Sequence, residues 1–331
     1  MSGRHETGEP GAPAPPDVVV GLADDDASWS ALRWAVASAA RAGGAVHVVR
    51  AVRSAVEQNV AGCSAGTDRA LADAELAALG RLAARAAEVV GAPAAPPVSL
   101  SRRPGRAADV LLAAARGGAA VVVGRPARRG RTVAALLRGA PGPVTVVGPS
   151  LRGDGARHVV VGVDPTAGST AASVPEIVAT TVGEVLQQSR DGDRVTVVAG
   201  FHPLPVRGDW PRGYLPSPTV DEQVRAARES TLAVVTPAVQ GLRRDGAGRG
   251  VTVDVLGWPQ EPARAVLGAA RDLDADELVV PRTGVWSPSS LLRLVRTAPC
   301  PVTAVPGPAA LRTTIPRPRS APDRGDVAVA R

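Results

Sequence analysis

The first strongly apolar run of the chain is Val18–Val20, a β-branched triplet closed by Gly21, and it predicts a central strand. The period then changes. In "DDDASWSALRWAVASAARAGG", Trp29, Leu32, Val36 and Ala39 recur at helical spacing, with Ser28 as the expected N-cap and Gly43 as the stop. "AVHVVRAV" (45–52) predicts a second strand, and a long Ala/Leu helix follows near 68–90. The order continues with a short strand "VSLSR", a helix "GRAADVLLAAAR", a strand "AAVVVG", a helix near 131–138 and a last strand "PVTVV".

The same order then repeats. "DVVVGLA" (17–23) returns as "HVVVGVD" (158–164), and "APGPVTVV" (140–147) returns as "APCPVTAV" (298–305), so the chain is a tandem duplication. The halves span 17–149 and 157–306, joined by the polar stretch 150–156. The flanks 1–16 and 307–331, rich in Pro, Gly and charge, are expected to be disordered tails. In the second half, Ser173 and Glu176 form an S-x-x-E capping box, and strands are expected near 193–200, 251–257, 277–281 and 301–305. The Pro-rich insert 202–218 excludes regular structure, and Pro237 is expected to kink or break its helix.

Alternating strands and helices predict an α/β fold, two tandem doubly wound parallel five-stranded sheets with helices on both faces. Ligands of such sheets bind beyond the carboxyl ends of the strands, at the switch in strand order. That directs attention to the loops at 22–28, 124–131, 163–172 and 281–289.

Composition narrows the chemistry. Hydrophobic residues make up 45% of the chain and aromatics only 2%, so the cores must be built from Val, Leu and Ala. No apolar run reaches the ~18 residues of a membrane span, which predicts a cytoplasmic protein with no membrane partner. Lysine is absent and all 38 basic residues are arginine, which removes Walker-type, kinase and Schiff-base chemistry. The net charge of +7 comes without an aromatic platform or helix-turn-helix signature, so a solvated basic surface is expected and no specific nucleic acid. Cys63 and Cys300 fit neither a disulfide framework nor a zinc site, and His5, His47, His158 and His202 lack metal-ligand spacing. No G-x-S-x-G elbow is present, so no catalytic residue and no enzyme activity is expected. The run Asp24–Asp26 fits helix capping better than cation binding. Trp210 and Tyr214 in the insert could cover the second-half crevice, dock a partner or pack on their own domain. The tail stretch "TTIPRPRSAPDR" is a candidate for recruiting an unidentified protein partner.

The ordered recurrence of these segments resembles the universal stress protein family. "VVVGLADDDASWSALRWAVASAARAGGAVHVVRAV" looks like its opening strand, helix and strand, and "ADVLLAAARGGAAVVVGR" with "ALLRGAPGPVTVV" looks like its closing third. The second half matches through "HVVVGVD", "ARAVLGAARDLDADELVVPR" and "LLRLVRTAPCPVTAVP". The resemblance implies an adenine-nucleotide α-hydrolase-like, Rossmann-like sheet and pairing through the last strands, here as an internal pseudo-dimer. It also implies, for one branch, an ATP loop of Gly, two residues, Gly, nine residues, Gly and Ser/Thr, with an Asp in the first loop. Against that pattern Gly124 stands for the first glycine and Gly130 for the third, but only five residues separate them where the family has twelve. Arg131 stands where Ser/Thr is expected and Ala23 where the Asp is expected. The second half keeps Asp164, but Pro281 replaces the first glycine and Pro288-Ser289 the Gly-Ser. Two readings stand for Arg125, Arg128, Arg129 and Arg131: a substitute anion site that grips phosphate by charge, or a solvated surface. The expectation is a non-catalytic stress-response protein whose ATP site is degenerate and which holds no cofactor. The alternative is an ATP binder that uses the Arg-rich loop.

Overall fold

The computed structural model describes residues 17–23, 25–52, 65–90, 96–126, 130–149, 155–165, 173–201, 220–283 and 286–308. Asp24, Cys63, Arg128, Arg129, most of the 150–156 joint, the 202–218 insert and nearly all of both tails, with the expectations attached to them, lie outside the described residues.

In the first half the elements are β1 (Val18–Gly21), α1 (Asp26–Ala42), β2 (Val46–Val52), α2 (Ala65–Val90), β3 (Val98–Pro104), α3 (Ala107–Ala114), β4 (Ala120–Gly124), α4 (Arg131–Gly139) and β5 (Val144–Val147). In the second half they are β6 (His158–Val163), α5 (Val174–Gln188), β7 (Arg194–Gly200), α6 (Val220–Arg244), β8 (Thr252–Trp258), α7 (Pro262–Asp272), β9 (Glu277–Pro281), α8 (Pro288–Thr297) and β10 (Val302–Val305). Every expected strand is present. The two five-stranded sheets form one ten-stranded sheet, in the order β3-β2-β1-β4-β5-β10-β9-β6-β7-β8. All neighbours are parallel except β5 and β10, which pair antiparallel, Thr145 opposite Thr303. Each half therefore covers the other's last edge strand, which would otherwise be open to another chain. The strand order switches between β1 and β4, and again between β6 and β9.

Period-two alternation divides the strands between two faces that are built differently. On one face, α3, α4, α7 and α8 share a single apolar core that runs through both halves, from Leu111 and Leu136 to Val266 and Leu294. On the other face there are two separate cores, one around Leu32 and Val36 of α1, the other around Val178, Val182 and Val239 of α5 and α6. Between those two cores the central strands turn polar side chains outward. Thr145 and Thr303 are joined at 2.9 Å, and the Thr303 hydroxyl donates to Glu277 Oε1 at 2.5 Å. Arg157 completes the line, donating to Glu277 at 3.2 Å.

Two local expectations change. The N-cap of α1 is Asp25, whose Oδ1 accepts from Ser28 N at 2.7 Å, and Ser28 is already inside the helix. An acidic side chain three residues ahead of Ser28 caps better than the serine itself and complements the helix dipole. Pro237 sits within an unbroken α6. Ala233, four positions earlier and the residue whose carbonyl a proline at 237 leaves without its N–H donor, is exposed, while Val235 and Val239 are buried in the core. The Ser173–Glu176 capping box forms as expected.

Candidate functional site

In the first half, the carboxyl ends of β1 and β4 are packed closely against the first turn of α1. Ala23 N donates to Ser28 Oγ at 3.1 Å, tying the end of β1 into the first turn of α1. Gly124, the last residue of β4, lies against that turn: a Cβ there would sit 2.6 Å from the carbonyl carbon of Ala27 and 2.7 Å from Ser28 N. A side chain has no space, so packing alone demands glycine. Arg125 follows, its N–H donating to Val147 O at 2.7 Å. Its guanidinium crosses to the second half and donates to the carbonyls of Ala298 (3.0 Å) and Cys300 (3.3 Å), beyond the C-terminus of α8. Gly130 is the N-cap of α4 in the left-handed region (φ 59, ψ 32) and supplies no side-chain cap, and Arg131 beside it is exposed.

The second half mirrors this arrangement. Arg282 N donates to Val305 O at 2.7 Å. Its guanidinium crosses to the first half and donates to Leu137 O (3.2 Å), Ala140 O (2.7 Å) and Gly142 O (2.8 Å), at the C-terminus of α4. Arg125 and Arg282 are thus a reciprocal pair, each binding the carbonyl end of the other half's helix, where the dipole favours a cation. Burial pushes the Arg282 guanidinium down to about 10, and it lowers Arg125 as well. The N-cap of α8 is Ser287, so Ser287-Pro288, one position earlier than expected, is the counterpart of Gly130-Arg131. Trp286, immediately before that cap, is buried in the shared core. Asp164 is buried at the end of β6, where the connection to α5 is longer than its counterpart in the first half.

Of the sequence candidates, then, Gly124 ends β4, Gly130 and Arg131 open α4 and Asp164 lies buried just after β6, while Arg125 belongs to the seam. Sequence reasoning missed the seam function of Arg125 and Arg282, although an arginine directly after the fourth strand of both halves was the available signal. It also missed the polar line on the other face. There Arg41 lies in the fields of Arg157, Glu277, Asp193 and Arg190, and burial first, then the charge of Arg157, pushes it down to about 10. Beside them a cavity of about 10 Å³, roughly the space of one water, is lined by Arg157, Gln188, Glu277 and Thr303.

The family model described as "Universal stress protein family" matches residues 16–148 and again 155–306. The chain belongs to the universal stress protein family. Its fold is similar to that of a universal stress protein from Archaeoglobus fulgidus DSM 4304, at a TM-score of 0.58 and 12% identity over 89% of this chain and 97% of that one. A protein from Pseudomonas aeruginosa UCBPP-PA14 carrying the same family name aligns at a TM-score of 0.53 and 14% identity, over 91% and 96%. A functionally unknown protein from Pseudomonas aeruginosa PAO1 aligns at a TM-score of 0.50 and 13% identity, over 91% and 96%. At these identities the likeness is one of fold. No curated protein matches. Among the described residues, this tandem universal stress protein has no helix long and apolar enough to cross a membrane.

Proposed function

We propose that this tandem universal stress protein is a non-catalytic, cytoplasmic stress-response protein that acts through ligand or protein contacts, without the triphosphate grip of the family's ATP-binding branch. The observation that carries this reading is the direction of Arg125 and Arg282. In each half the first residue after the fourth strand, where a phosphate loop would begin to wrap its ligand, is engaged with the opposite half. Only 125–130 and 282–287 remain before α4 and α8 begin, too short a stretch to turn several main-chain donors toward three phosphates. Pro281 lacks one such donor altogether. Equilibrium titration with labelled ATP tests the reading, and no saturable binding is expected up to millimolar nucleotide.

A second reading rests on Gly130. A glycine at the N-cap has no side chain to cap the N-terminal amides of α4, and they lie next to the exposed Arg131. A short anion could sit there with Arg128 and Arg129 supplying charge. Submillimolar ATP binding that is lost in Arg128→Ala/Arg129→Ala supports this second reading and overturns the first.

A further inference from the structure

The helices covering the shared core differ in charge from those on the other face. The two that meet across the pseudo-twofold, α4 and α8, carry Arg131, Arg138, Arg293 and Arg296 and no acidic residue. All four arginines are exposed, and among the described residues none makes an ion pair. Arg138 donates to the carbonyl of Ala134, one turn back on its own helix. Arg271 extends the basic strip, reaching the carbonyl of Thr297 at the end of α8. On the opposite face α5 carries Glu176 and Glu184 and no basic residue. Among the described helices, the excess of arginine over acidic residues therefore lies on this face, where α3 and α7 contribute the acids Asp109 and Asp272.

We propose that the α4–α8 face is a docking surface for the sugar-phosphate backbone of a nucleic-acid duplex, bound without regard to base sequence. Guanidinium groups match phosphate in charge and geometry, and a short row of them on rigid helices displaces counterions from a duplex. The strip offers no aromatic side chain on which unpaired bases could stack, which favours duplex over single strand. A membrane surface fits less well. The exposed large hydrophobic among the described residues is Val234, on α6 of the other face, so the strip has nothing to insert among lipid tails.

The test is fluorescence anisotropy with the full chain and two labelled duplexes of unrelated sequence, at a series of salt concentrations. The variant is Arg138→Ala/Arg293→Ala/Arg296→Ala, which spares Arg131 at the start of α4, and all three positions are exposed and outside the core. Both duplexes should bind with equal affinity, with tightness falling steeply as salt rises. In the variant the logarithmic salt slope should shrink by roughly 3, about 0.9 for each phosphate no longer neutralised, and affinity at low salt should fall about tenfold or more. A control with Arg225→Ala/Arg228→Ala/Arg243→Ala/Arg244→Ala, on α6, should bind as the parent does. Unchanged binding in the α4–α8 variant, equal loss in the α6 control, or binding to phosphatidylserine vesicles without binding to either duplex would each overturn the proposal.

Discussion

Replacing Gly124 by Ala separates two reasons for keeping a glycine at the end of β4. If the residue is there to let a phosphate approach the main chain, an added methyl should abolish a ligand and leave stability nearly intact. The structure assigns it a packing role. The new Cβ would lie 2.6–2.9 Å from three backbone atoms of Ala27 and Ser28. Backbone cannot rotate out of the way as a side chain can, so the first turn of α1 would have to retreat by about 0.8 Å to reach ordinary contact. That movement weakens the Ala23–Ser28 bond and lifts Ala31, Leu32 and Ala35 from their core. Overpacking of this kind costs roughly 2–3 kcal/mol. At about 1.5–2 °C per kcal/mol for a chain of this size, the melting temperature should fall by about 3–6 °C. Gly43→Ala is the internal comparison, because Gly43 has φ 72 and nothing within 4 Å, so only left-handed strain applies. That strain costs about 1 kcal/mol. Urea midpoints of both variants decide the matter. A Gly124→Ala loss no larger than that of Gly43→Ala would refute the packing argument.

The remaining predictions concern the seam, the polar line and pH. Arg282→Ala removes a cation from three carbonyls, and with its burial cost offsetting part of the gain the expected loss is roughly 2 kcal/mol in chemical denaturation. Thr303→Val strands the Thr145 hydroxyl and takes the donor from Glu277 Oε1 at once, so it should cost about 1–3 kcal/mol, and the Thr145→Val/Thr303→Val double variant should cost less than the sum of the singles. Additive costs would show the hydroxyls to be uncoupled. Residues 1–150 expressed alone leave β5 without its partner strand and should elute as a dimer by light scattering, a monomer contradicting the expectation. His158 is neutral in the fold, with Nδ1 donating to Leu273 O and Nε2 accepting from Thr196, and burial holds its pKa below the usual 6.5. The unfolded chain therefore takes up the proton first, so stability is full above 6.5 and falls as pH drops from there toward the folded value. His158→Gln should flatten that slope in denaturation midpoints measured at neutral and mildly acidic pH.

Much of the architecture was legible because it is local. The valine triplets, the helical spacing of Leu32 and Val36 and the repeated "PVT" strands all report on neighbours close in sequence. What could not be read is what crosses the dyad. Arg282 meets carbonyls 140 to 145 residues away and Arg125 meets carbonyls 173 and 175 residues away, and no period along the chain encodes such distances. The cap of α1 is ambiguous in the sequence for a simpler reason: several residues ahead of the helix can cap it, and only geometry chooses Asp25 over Ser28. Likewise, "breaks a helix" is a statement about a buried carbonyl, and burial at Ala233 is a tertiary fact.

Glu277 illustrates what covalent duplication permits. By strand register its equivalent in the first half is Ala120: Val159 faces Glu277 just as Val18 faces Ala120. A symmetric pair of separate, identical subunits must install any buried acid twice, and here the copies would confront each other across the axis. Joining two copies into one polypeptide frees each from mirroring the other. A lone carboxylate can then sit beside the symmetry axis with a threonine and an arginine for company, an arrangement closed to a homodimer.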